Sequence, residues 1–71
     1  MKKKLLIEGM SCAHCVKHVQ EALQAVEGVQ AVTVNLEAKT AVVELMTEVE
    51  EEKLRTAVEE AGYDVKRIDN M

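Results

Sequence analysis

Two thiols stand two residues apart in Gly9-Met10-Ser11-Cys12-Ala13-His14-Cys15, and the chain concentrates its chemistry there. Where such a segment joins a loop to the start of a helix, Cys12 and Cys15 converge on one point. The helix's exposed N–H groups and its dipole then favour thiolate over thiol. The dipole is worth about 0.3–1 kcal/mol, rising to about 2 in partly buried geometry. It eases deprotonation without choosing a function, and three readings compete. The first is packing, two small residues tucked beside a helix start, although a loop tip is a poor place to bury them. The second is a redox dithiol. Thioredoxin-like dithiols sit beside a cis-proline, and this chain has no proline and no aromatic residue before Cys12. The third, which the residues favour, is a pair of thiolates holding a soft metal ion.

Counting donors narrows the metal. Structural zinc takes four ligands and catalytic zinc keeps three from the protein. The further nitrogen donors nearby are His14 and His18. Val16, Val19, Leu23 and Val26 form the apolar stripe of the helix that follows. At about 100° per residue, Cys15 falls about 60° from the centre of that stripe, His14 about 160° away and His18 about 120° away. Cys15 therefore belongs at the edge of the buried face and both histidines on the solvent side. Two soft donors without a third suit copper(I), which thiolates select and which accepts low coordination.

The elements that position this segment follow from periodicity and punctuation. Lys4 to Glu8 is short, apolar and bounded by Gly9, as a strand is. The helix starting at Cys12 is expected to end with Gly28 at its C′ position. Val29 to Leu36 alternates as a second strand, and Leu36-Glu37-Ala38-Lys39 is a hairpin loop without the strong Asn-Gly signal. Thr40 to Met46 is a third strand. Thr47-Glu48-Val49-Glu50 reads as a capping box opening a second helix. Its stripe is Leu54, Ala57, Val58 and Ala61, closed by Gly62, and Tyr63 to Ile68 is a weaker last strand. The two halves repeat, with the helix-ending glycines at positions 28 and 62. The order β-α-β-β-α-β predicts an α+β, ferredoxin-like fold: a four-stranded antiparallel sheet with both helices on one face. The eleven valines suit a half-buried sheet. The order also brings Gly9–Cys15, the Leu36–Lys39 hairpin and Tyr63 to one tip, with Lys2–Lys4, Gly28 and Glu48–Glu52 at the other end.

Bulk properties agree. Seventy-one residues, 48% hydrophobic and 31% charged, make one globular domain over residues 1–71 without space for a large enclosed active site. Nine Lys and Arg against thirteen Asp and Glu, with one aromatic residue, give neither the basic footprint nor the stacking platform of a nucleic-acid binder. The longest apolar runs, Leu5-Leu6-Ile7 and Ala41-Val42-Val43, are too short to enter a membrane or serve as an export signal. A cytoplasmic location with reduced thiols is expected.

The Gly9–Cys15 motif, the segment from Val29 to Leu36 and Gly62-Tyr63-Asp64 together resemble the heavy-metal-associated domain family, over essentially the whole chain. The resemblance implies that Cys12 and Cys15 bind one copper(I). It implies that Met10 is no ligand but tucks into the core, contributing roughly 1.5–3 kcal/mol. Ser11 stands where zinc- and cadmium-preferring members often carry an acidic residue, which favours copper. Tyr63 matches the bacterial copper chaperones; the mercury carriers of the family, by contrast, are periplasmic. Met10, Ser11, His14 and Tyr63 are thus expected to support the ligand loop, with Tyr63 shielding the ion rather than binding it. The implied activity is not enzymatic. It is cytoplasmic copper(I) carriage, with transfer by thiolate exchange to a copper-transporting P-type ATPase or a copper-responsive repressor. The chain would be a monomer without metal and able to form a copper-bridged homodimer. An excised N-terminal metal-binding domain of such an ATPase and a dithiol oxidoreductase are the alternatives.

Overall fold

A computed structural model of the chain describes residues 1–10 and 13–70. Its elements run β1 (Lys2–Glu8), α1 (Ala13–Gln24), β2 (Val29–Asn35), β3 (Thr40–Leu45), α2 (Glu51–Glu60) and β4 (Asp64–Asn70). The strands form one sheet in the order β2-β3-β1-β4 with every neighbouring pair antiparallel. Both helices cover the same face of it, the expected ferredoxin-like arrangement.

Alternation drives the burial. Leu5 and Ile7 of β1, and Ala41 and Val43 of β3, point inward to meet Val19 and Leu23 of α1 and Leu54 and Val58 of α2. Each large side chain so buried contributes roughly 1.5–3 kcal/mol. Lys2, Lys4, Leu6 and Glu8 alternate onto the open face, which is mostly polar.

Three local expectations need correcting. The helix expected to reach Gly28 ends at Gln24, and a turn over residues 25–28 leads into β2, closed by Val29 N–H donating to the Val26 carbonyl at 3.2 Å. Gly28 has φ +96°, and a Cβ there would lie 2.7 Å from Val49 Cγ2 and 2.9 Å from Thr47 Oγ1. Its missing side chain lets the segment before α2 pass close by, rather than capping α1. The second correction is the capping box. The N-cap of α2 is Glu50, extended at φ −64° and ψ 138°, with no side-chain cap bond. Val49 is the reason: it is 5% exposed in the core, and an extended chain through Thr47–Glu50 delivers it there. Third, β1 and β4 are longer than predicted, because Lys3 pairs with Asn70 and its Nζ reaches Asn70 Oδ1 at 2.9 Å and Glu51 Oε2 at 3.1 Å.

The exit from α2 matches expectation. Ala61 is the C-cap and Gly62 follows at φ +100°. Gly62 N–H donates to the Glu59 carbonyl at 3.0 Å and Tyr63 N–H to that of Val58 at 3.2 Å, the two bonds of a Schellman motif. The left-handed residue that motif requires is the glycine. Tyr63 thereby leaves the helix in a fixed direction, toward the end of β1.

Candidate metal centre

The site is built where β1 ends and α1 begins. Gly9 follows β1 at φ +95°, and Met10 turns back into the core with 2% of its surface exposed. Met10 thus anchors the loop's entry among the apolar side chains of the sheet and helices. The expectations for Ser11 and Cys12 lie outside the described residues. Ala13 is the first residue of α1. Cys15 sits in the first turn of that helix, half-buried and packed against the core cluster. That is the edge-of-face position its spacing from Val16 and Val19 predicts. The first-turn N–H groups of a helix lack intrahelical partners and carry its positive pole, so Cys15 lies where negative charge is favoured.

Other elements close around this junction. Ile7 N–H donates to the Lys39 carbonyl at 2.8 Å, tying the end of β1 to the 36–39 hairpin. Lys39 itself holds φ +57°, and Asn35 Oδ1 accepts from Ala38 N–H at 3.1 Å. That side-chain bond shapes the hairpin in place of an Asn-Gly turn. Glu8 pairs with Asp64 across the sheet, so residue 63 stands beside Gly9. A Cβ built on Gly9 would lie 3.6 Å from Tyr63 Cδ1. The half-buried Tyr63 ring therefore lies over the glycine that starts the loop.

His14 and His18 are both exposed, as their helical angles predict. Tyr63 Oη stands 3.5 Å from Nδ1 of His18. This contact with an imidazole 45 positions away has no signature in the sequence. Among the described residues no group of three or more His, Cys, Asp or Glu side chains could enclose an ion. A closed zinc cage is thus not formed by the described side chains.

The comparisons with known proteins agree with this geometry. Residues 4–64 match the model of the "Heavy-metal-associated domain". The chain belongs to the heavy-metal-associated domain family. Among curated proteins, this domain is 43% identical to the copper chaperone CopZ of Bacillus subtilis over 67 residues, 93% of this chain and 97% of that protein. It is also 43% identical to a copper-transporting ATPase 1 of Rhizobium meliloti over 61 residues, 86% of this chain but 7% of the ATPase. Of solved structures, a CopZ metallochaperone superposes with a TM-score of 0.86 at 38% identity, covering 92% of this chain and 98% of the other. Among the described residues no helix is long and apolar enough to cross a membrane.

Proposed function

We propose that the chain is a cytoplasmic copper(I) chaperone: a carrier, not an enzyme, holding one copper(I) between the thiolates of Cys12 and Cys15. The observation that carries the reading is Cys15. It lies half-buried in the first turn of α1, at the tip where the loop after Gly9, the 36–39 hairpin and Tyr63 meet. A thiolate there is half-buried in the first turn of a helix, where backbone N–H groups lack intrahelical partners. The similarity to copper chaperones and to segments of copper-transporting ATPases supports copper as the cargo.

An ion with two ligands on an exposed tip leaves an approach open. A thiolate of the acceptor adds to copper(I), giving a three-coordinate intermediate shared by both proteins. One thiolate of the carrier then leaves and takes up the proton given up by the acceptor thiol, and the acceptor's second thiolate displaces the other in the same way. Copper stays in the +1 state throughout, and no free ion is released. The acceptor is a copper-transporting P-type ATPase, or a copper-responsive repressor, presenting a cysteine pair of its own. Met10 is buried in the core and Tyr63 lies over Gly9; in this reading neither binds the ion.

Mixing the copper(I)-loaded chain with a cysteine-pair domain of such an ATPase, in the presence of a strong copper(I) chelator, tests the mechanism. Transfer is expected to accelerate in proportion to acceptor concentration and to outrun capture by the chelator. A transfer rate independent of acceptor concentration, equal to that of spontaneous copper loss, would refute associative handover.

A further inference from the structure

We propose that His14 and His18 form a second metal site, for a borderline divalent ion such as zinc(II), separate from the thiolate pair. Both residues belong to α1 and both are exposed. Four residues of helix place two side chains one turn apart and about 40° apart around the axis, which makes them neighbours on one surface. Two imidazoles so placed form a chelate, because each supplies one nitrogen to an ion standing between them over the helix. Imidazole suits zinc, copper(II) and nickel(II), whereas copper(I) is drawn to thiolate. The two sites therefore select different ions by donor softness, although they share a helix.

A second observation points the same way. A metal-binding imidazole almost always gives its other ring N–H to an oxygen acceptor, which fixes its tautomer and its orientation. His18 has such an oxygen, since Tyr63 Oη lies 3.5 Å from its Nδ1. With Nδ1–H donating to that phenol oxygen, Nε2 carries the lone pair at the outer tip of the ring, on the side away from Tyr63. The bond runs between residues 45 apart in sequence, so the fold itself orients His18. His14 needs no such brace, because the chelate partner and the helix define its direction. No third His, Cys, Asp or Glu joins them among the described residues, and water completes the coordination shell. The site is thus an open, exchangeable one, and it loads a divalent ion beside the copper(I) tip without competing for the same donors.

The experiment is a calorimetric zinc(II) titration of the Cys12→Ser/Cys15→Ser double variant, with the imidazole NMR signals followed in parallel. The chain has two histidines, so the two signals are simple to assign. One zinc(II) per chain is expected, shifting both histidine signals together. His14→Ala and His18→Ala should each weaken binding at least tenfold. Tyr63→Phe should weaken it by about tenfold, the effect typical of losing an outer-sphere partner. The native chain with both thiols alkylated repeats the titration without any substitution. Zinc(II) binding that survives removal of both histidines would overturn the proposal. So would independent weak binding, in which each single variant loses only about half of the signal change and the remaining histidine titrates unaltered. An unchanged affinity in Tyr63→Phe would overturn the orienting role assigned to that hydroxyl.

Discussion

Tyr63 packs over Gly9 and Met10 is buried in the core, and on the proposed function neither needs to touch an ion to matter. Tyr63 lies over Gly9 and reaches His18, so it braces both the start of the loop and the first turns of α1. Tyr63→Phe is expected to change copper(I) affinity by no more than a hydrogen bond, about 0.5–1.5 kcal/mol. Tyr63→Ala should also speed copper loss to a competing thiol; stopped-flow exchange reads that rate. If Tyr63→Ala lowers thermal stability alone and leaves affinity and exchange unchanged, the ring is a packing element and nothing more. Met10, 2% exposed, is a core residue by position. Met10→Ala should cost roughly 2–5 kcal/mol in denaturant unfolding, the range for emptying such a site. Met10→Leu keeps the volume and should leave copper(I) stoichiometry and affinity unaltered, whereas a fall in affinity would mean that the thioether binds the ion. At this scale the sequence was readable where periodicity acts. The spacing of Cys15, His14 and His18 from the valine stripe placed each on the correct side of α1. The Tyr63–His18 contact was not readable, because only the folded sheet brings loop and helix together.

Elements were legible to the extent that local rules decided them. Alternation announced β2, a β-branched run announced β3, and Gly62 announced the end of α2, since a Schellman motif demands a left-handed residue after the C-cap. The misread junctions are those where tertiary packing overrode a local preference. Thr47-x-x-Glu50 has the letters of a capping box, but burying Val49 in the core outweighs one cap bond, and α2 starts later. Gly28 has the letters of a helix stop, but its role is the close passage of Thr47 and Val49. The two glycines should therefore respond differently to alanine. At Gly62 nothing lies within 4 Å of a new Cβ, so Gly62→Ala should cost only the left-handed backbone, about 1–2 kcal/mol. Gly28→Ala adds a collision at 2.7 Å to the same strain and should cost more. Paired unfolding curves for the two variants check the order; equal losses would contradict the packing role of Gly28.

For the whole molecule, the topology fixes one working end. β1, the 36–39 hairpin and the exit of α2 all deliver their residues to the tip beside Cys15, while Met1, Gly28 and Met46 are tied together at the far end by Leu45 N–H to Met1 O at 2.7 Å and Met46 N–H to Gly28 O at 2.8 Å. On the proposed function, thiolates at this tip can meet those of a second copy. Without added thiol, copper(I) should drive dimerisation through bridging thiolates, and glutathione should reverse it by capping the third coordination position. Sedimentation velocity showing a monomer at every copper loading would contradict this. The most direct test of the central claim is a competition titration of copper(I) against a chromophoric chelator, run on the native chain, Cys12→Ser and Cys15→Ser, each first verified as folded. One tightly bound copper(I) per native chain is expected, with loss of tight binding in both variants. Tight copper(I) binding retained by either variant would contradict it.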